Sequence, residues 1–319
     1  MGNWNWLTFL KVILFGIVEG ITEWLPISST GHMIILEEAL GMESAFGPNG
    51  SAFWEFFLVF IQFGAILAVI AVFFKELWPW TRSKTPDDRK KIYWTWLYIV
   101  IACLPAAVVG LFLDDFLDTY LYNFITVSVT LIIYGLAFIV IELFLRKAKK
   151  EPLINDLSAF TWKTALIIGA AQILSLIPGT SRSGVTILAA LLIGCNRETS
   201  AKFSFYVSIP IMIGASLFKG FKFFYEGNSM DGSQITYLLV GAVVAFGVSL
   251  LAIKWLTSFV KNHTFIGFGY YRIALGVLLI VLYLSVPSLR GGEALAAVLP
   301  WAQEIKGAIP LSLPLRLHR

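Results

Sequence analysis

The stretch Gly16 to His32, GIVEGITEWLPISSTGH, decides the fold. It lies in apolar surroundings yet carries Glu19, Glu23, Ser28, Ser29, Thr30 and His32. Glu19 and Glu23 stand at i, i+4, so on a helix both carboxylates project from one face. Pro26 then ends that helix, because its ring removes a donor and disfavours helix at the preceding residue. The run Ser28-Ser29-Thr30-Gly31 is suited to cap a second helix. The spacing predicts helix, break, helix, with two acids before the break and a hydroxyl-rich turn plus one imidazole after it. Ionisable groups at membrane depth cost roughly 2.5–3.5 kcal/mol each on insertion scales, which makes this stretch the first candidate for a functional site.

The rest of the chain puts that stretch in a membrane. Of 319 residues, 58% are hydrophobic and only 14% charged. Apolar runs repeatedly exceed the roughly 20 residues that cross a bilayer, which excludes a soluble globule and implies a polytopic helical membrane protein. The net charge of +4 says little about partners, because the basic residues gather in particular loops. No nucleic-acid partner is expected. Cys103 and Cys195 fall in apolar segments predicted to be different helices and read as buried small hydrophobes rather than a disulfide. The first segment lacks a clear basic n-region and reads as part of the fold, not as a signal peptide.

Ten apolar segments follow one another, at about 6–25, 28–41, 53–74, 92–113, 122–145, 161–177, 181–195, 202–224, 234–256 and 269–287. The second and seventh are too short to span comfortably. Each follows a Pro-containing break, after Leu25 and after Ile177. Short, broken segments at matching places in two halves point to re-entrant hairpins with a binding site between them. The halves do match. Pro26-Ile27-Ser28-Ser29-Thr30-Gly31 resembles Pro178-Gly179-Thr180-Ser181-Arg182-Ser183-Gly184, and Ile61-Gln62-Phe63-Gly64-Ala65 resembles Ile211-Met212-Ile213-Gly214-Ala215, at offsets of 152 and 150 residues.

Loop charge sets the orientation. The loops 75–91 and 146–160 are basic and should be cytoplasmic, whereas Asp114, Asp115 and Asp118 between them, and the loop 225–233, should face outside. The expected fold is therefore all-α. Two inverted five-segment repeats, about 6–145 and 161–287, each open with a re-entrant helix hairpin, within one transmembrane domain 1–287. The remaining residues, 288–319, form a tail to which the sequence assigns no function.

Irregular backbone at membrane depth is tolerated only inside protein or beside a water-filled cavity, so both breaks should face a shared cavity. Two helix N-termini converging there would suit a phosphate. Gly179, Thr180, Ser181 and Ser183, with Ser28 and Thr30 from the first break, are the candidate binding residues. Arg182 would add bidentate charge for phosphate oxygens, unless it serves as a membrane-depth ion pair with Glu19 or Glu23. The acids would repel a bare phosphate. A divalent cation, Mg²⁺ or Ca²⁺, held by Glu19 and Glu23 would resolve the repulsion; a proton shared between the two is the alternative. Ser29 and His32, at i, i+3, offer a nucleophile and a base.

At this point EGITEWLPISSTGH and PGTSRSG together resemble the two signature regions of the undecaprenyl-diphosphate phosphatase family, the bacitracin-resistance membrane proteins. The resemblance runs over roughly 1–287. It implies hydrolysis of undecaprenyl diphosphate, a polyprenyl lipid, to undecaprenyl phosphate, which recycles the lipid carrier of peptidoglycan synthesis. It further implies that Glu19 and Glu23 are the acidic pair tied to metal and catalysis, Ser29 the nucleophile, His32 its acid/base partner and Arg182 the phosphate-binding arginine. The expected setting is the bacterial plasma membrane, with the cavity opening to the outer side and with the bilayer and a second copy of the chain as partners. The phosphatidate-phosphatase-like class is excluded, because it needs a histidine six residues after its arginine, where this chain has Leu188. A polyprenyl-phosphate transporter or flippase stays open, since inverted repeats with broken helices are a common transporter plan.

Overall fold

The computed structural model describes residues 5–46, 49–81, 83–121, 123–148 and 151–285, so the predicted tail lies outside the described residues. The chain runs α1 (Trp6–Thr22), α2 (Ser29–Leu40), the four-residue α3 (Met42–Ala45), α4 (Gly50–Leu77), α5 (Pro86–Leu121) and α6 (Phe124–Ala148). It continues through α7 (Trp162–Gln172), α8 (Arg182–Leu192), α9 (Arg197–Tyr225), α10 (Gly232–Asn262) and α11 (Ile266–Ser285). Each of the ten apolar segments is thus a helix. Among the described residues the one β-type pairing is a single bridge between Ile154 and Cys195. Cys195 accordingly lies in the turn after α8 and not in a helix, because Gly194 with φ +94° ends that segment early.

Among the described residues six helices are long and apolar enough to cross a membrane: α4, the Pro86–Leu113 part of α5, α6, α9, α10 and α11. These are the third, fourth, fifth, eighth, ninth and tenth segments. The other four helices of the two broken hairpins, α1 with α2 and α7 with α8, are 17, 12, 11 and 11 residues long. At 1.5 Å per residue each falls short of a hydrocarbon core about 30 Å thick.

The two hairpins are held alike, each against a helix of the other half. α1 packs on α10, and α7 packs on α5. Small residues permit both contacts. A Cβ on Gly20 would lie 2.8 Å from the Ala245 carbonyl oxygen, and one on Gly169 would lie 2.4 Å from that of Ala102. Any side chain there would push the helices apart. α4 crosses α9, and α6 runs against α11, so equivalent helices of the two halves meet at the centre.

The breaks share their backbone as well. Ser28 (φ 73°) and Ser181 (φ 70°) are the only non-glycine residues with positive φ among those described. Each is an N-cap whose hydroxyl accepts from the amide three residues on, Gly31 in one case and Gly184 in the other. A left-handed non-glycine backbone is strained, and it recurs here at the two places where the chain turns back towards the centre.

Candidate functional site

The capping serines put the two breaks in register, Ser28 with Ser181 and therefore Ser29 with Arg182. Both residues at this second position reach the same carboxylate. Ser29 Oγ donates to Glu23 Oε2 at 2.7 Å, and Arg182 Nη2 donates to Glu23 Oε1 at 2.8 Å. Arg182 also donates through Nη1 to the Ser204 carbonyl at 3.1 Å, which fixes the guanidinium plane. The Arg182 and Glu23 side chains are only 12% and 10% exposed, so this pair sits in a largely desolvated place. The membrane-depth ion pair weighed from the sequence is thus present, with Glu23 as the partner.

Around that centre lies a cavity of about 190 Å³. Glu23, Ser29 and Thr30 line it from the first break; Gly179, Ser181, Arg182 and Ser183 line it from the second. Ser183 Oγ sits 3.1 Å from Ser181 Oγ. Ser28 and Thr180 do not line the cavity. Ser28 is buried with its hydroxyl turned to the cap, and Thr180 is fully buried. Gly179, at φ +85°, has no room for a side chain, because a Cβ would lie 2.2 Å from Thr130 Oγ1.

The expected Ser29–His32 contact does not form. His32 Nδ1 lies 2.8 Å from the Ser28 carbonyl oxygen, and its Nε2 lies 2.7 Å from the Tyr271 hydroxyl. A carbonyl only accepts, so Nδ1 carries a proton, and Nε2 pairs with the Tyr271 hydroxyl. The imidazole faces a separate apolar hollow of about 500 Å³, lined among others by Val18, Ile21, Leu25, Trp255 and Phe268. The physical reason is local. One turn into α2, a side chain three residues beyond Ser29 can reach back to the carbonyl of the cap, and Tyr271 of α11 stacks alongside it.

Glu19 sits one turn before Glu23, 1% exposed, with Oε1 lacking a hydrogen-bond partner. An orphaned carboxylate oxygen beside a second carboxylate is an unusual thing to bury and suits a cation. Among the described residues no third acid, histidine or cysteine joins them. Two carboxylates are nevertheless the normal protein share for Mg²⁺, whose remaining ligands are waters and substrate phosphate oxygens. A divalent cation held by this pair would take its remaining ligands from water or a phosphorylated ligand, and Glu19 itself does not line the cavity.

Three residues escaped the sequence reading. Arg272 of α11 is fully buried and donates to the carbonyls of Pro26 at 3.2 Å, Gly179 at 2.8 Å and Thr180 at 2.9 Å. It fastens the two breaks to each other by filling carbonyls that no helix satisfies. An arginine inside an apolar run was the available signal. Gln62 lines the cavity from α4, and its counterpart by the 150-residue offset, Met212, lines it from α9 and accepts from Arg182 at 3.7 Å. The repeat motif that contains them pointed to symmetry but not to the cavity.

The bacitracin resistance protein BacA family model matches residues 12–278. The chain belongs to that family. It is similar to proteins named undecaprenyl-diphosphatase from Enterococcus faecalis (49% identical over 270 residues, 85% of this chain and 95% of the relative). Proteins of that name from Streptococcus sanguinis (50% identical, 88% of this chain and 97% of the relative) and Acetivibrio thermocellus (47% identical, 88% and 99%) match equally fully. As a BacA-family member with six long apolar helices, the chain is a multi-pass membrane protein. Both breaks and all six helices lie within, or extend into, the span matched by the BacA family model.

Proposed function

We propose that this chain hydrolyses undecaprenyl diphosphate to undecaprenyl phosphate and inorganic phosphate, returning the lipid carrier of peptidoglycan synthesis to use. One observation carries the chemistry: Glu23 holds Ser29 and Arg182, one from each break, on its two oxygens at 2.7 and 2.8 Å. A hydroxyl hydrogen-bonded to a carboxylate, with a guanidinium beside it, suits phosphoryl transfer. Binding alone would not need the hydroxyl–carboxylate pair, so hydrolysis is favoured over transport.

In this reading the terminal phosphate enters the cavity between the breaks and draws Arg182 onto its non-bridging oxygens. Ser29 Oγ attacks the terminal phosphorus in line. Its proton passes to Glu23 and on to the leaving phosphate as the bridging P–O bond breaks. Undecaprenyl phosphate departs, and water then attacks the phosphoserine, one proton returning to Ser29 Oγ. Glu23 takes the base role that the sequence offered to His32, because Glu23 touches Ser29 and His32 does not. His32 acts through Ser28, whose carbonyl it holds. Glu19 and Glu23 would hold the divalent cation, Mg²⁺ or Ca²⁺, which when bound supplies positive charge to the diphosphate oxygens.

The placing of the breaks supports two inverted repeats, each opening with a re-entrant hairpin. The matched positive-φ caps, the crosswise packing of α1 on α10 and α7 on α5, and the close glycine contact within each of those helix pairs all argue for it. The loops around Lys84 and Lys91 and around Asp156 line one hollow, so the two basic loops share an end of the molecule. By the positive-inside rule that end is cytoplasmic, and the first break then opens from the outer side.

The test is phosphate release from undecaprenyl diphosphate by detergent-solubilised protein, where no transport can occur. Stoichiometric release that stops on chelation is expected. Binding of the lipid without release would return the transporter reading, and full activity in excess chelator would replace the cation by a proton shared between Glu19 and Glu23.

A further inference from the structure

A second cavity, of about 870 Å³, lies at the end of the molecule that carries the basic loops and away from both breaks. Its wall is built in three parts. The C-terminal end of α6 contributes Phe144 and Arg146, that of α8 contributes Leu192, and the loop after α6 and the first residue of α9 contribute Leu153 and Arg197. Phe144, Leu153 and Leu192 are 64%, 82% and 58% exposed, so the apolar part of the wall is open to its surroundings.

The cavity is rigid where it needs to be. The amides of Leu153 and Ile154 both donate to the Gly194 carbonyl, at 2.9 and 3.0 Å, and the Asn196 amide donates to the Ile154 carbonyl at 2.9 Å. The loop that carries Leu153 is therefore clamped to the turn after α8. Arg197 is fixed too. Its Nε and Nη2 donate to the two oxygens of Glu142 at 2.8 and 2.5 Å, and Glu142 is fully buried. The side chain remains 34% exposed, with Nη1 left over from that fork. Arg146 forms no ion pair among the described residues. One acid, the exposed Glu151, also lines the cavity.

We propose that this cavity binds a glycerophospholipid of the cytoplasmic leaflet, with its phosphodiester on Arg146 and the free edge of Arg197 and its acyl chains along Phe144, Leu153 and Leu192. The charge is complementary to a phosphodiester, and the location is where interfacial arginines meet headgroups. A preorganised guanidinium recognises phosphate oxygens better than a mobile ammonium. Open apolar side chains beside those arginines suit acyl chains and are wasted on a free anion. The diphosphate substrate is not the occupant, since its site lies between the breaks.

Native mass spectrometry of the full chain in detergent tests this, with phosphatidylglycerol, a diacylglycerol of the same chains and free glycerol phosphate as probes. One equivalent of phosphatidylglycerol should bind roughly 5-fold or more tighter than diacylglycerol, the ratio expected from about one interfacial arginine contact. Arg146→Gln should reduce that difference, and Leu192→Asn should weaken both lipids. Phosphate release should stay unchanged in both variants, which shows that the fold is intact. Equal binding of diacylglycerol and phosphatidylglycerol, an Arg146→Gln variant that keeps the difference, or displacement of the phospholipid by equimolar glycerol phosphate would each overturn the proposal.

Discussion

The first break, Pro26 to Gly31, and the second, Pro178 to Gly184, are one backbone geometry used twice with different side chains. Both turn through a left-handed serine, both cap a short helix with that serine, and both send the next residue to Glu23. The first break offers a hydroxyl there and the second a guanidinium. The difference teaches how a duplicated scaffold becomes a site. Two identical turns would present two anion-binding helix ends and nothing to attack with. In the proposed reaction, placing acid and hydroxyl on one side and arginine on the other divides phosphate binding from phosphate chemistry.

The largest effect should come from the first break. Ser29→Ala should reduce turnover below about 0.1% of the parent, and Glu23→Gln by roughly 10²–10⁴-fold as loss of a general base. Acid quench should trap phosphate on Ser29 in the parent and not in Ser29→Ala. Substantial turnover by Ser29→Ala, with no trapped intermediate, would move the attack to a water activated by Glu23. On the second break, Arg182→Lys keeps the charge and loses the fork, so kcat should fall by roughly 10²–10³-fold, the scale of one lost oxyanion contact. Comparable activity of Arg182→Lys and parent would mean that the second break supplies only bulk charge.

Arg272→Lys should strike both breaks together. One ammonium cannot serve three carbonyls, and each bare acceptor costs about 1–3 kcal/mol. A lower thermal midpoint in detergent together with reduced activity is expected; an unchanged midpoint would show that the breaks hold without this fastening. His32→Gln should be milder than Glu23→Gln by at least about tenfold, because His32 acts through the Ser28 carbonyl rather than on the substrate. The pH profile of kcat/KM should keep its shape in His32→Gln. Loss of one limb of that profile would restore His32 to the base role.

The smallest effect concerns the caps themselves. Ser28→Gly and Ser181→Gly each lose a capping hydroxyl but relieve a positive φ, so each should change stability by less than about 1 kcal/mol. The two shifts should match, since the local geometry matches. A clear inequality between them would show that the breaks differ in backbone energetics as well as in charge.

By itself, the sequence determined the ten helical segments and the positions of both breaks. Proline geometry, apolar run length and serine capping are local rules, and they act the same way whatever the chain packs against. It also determined which chemical groups would be near the centre, because charged and hydroxyl residues are rare in so apolar a chain. Tertiary structure alone decided how those groups are shared out. Glu23 meets Arg182 across 159 residues, and no periodicity encodes that. His32 turned away from Ser29 because the Ser28 carbonyl and Tyr271, 239 residues on, offered it two hydrogen bonds where Ser29 offered one. Arg272 looked like an isolated cation in an apolar helix and is instead the clasp of both breaks. Local rules fix where a side chain starts. Which partner it finds depends on the elements that packing brings alongside, and in a bilayer a backbone group left free by a break needs one from inside the protein.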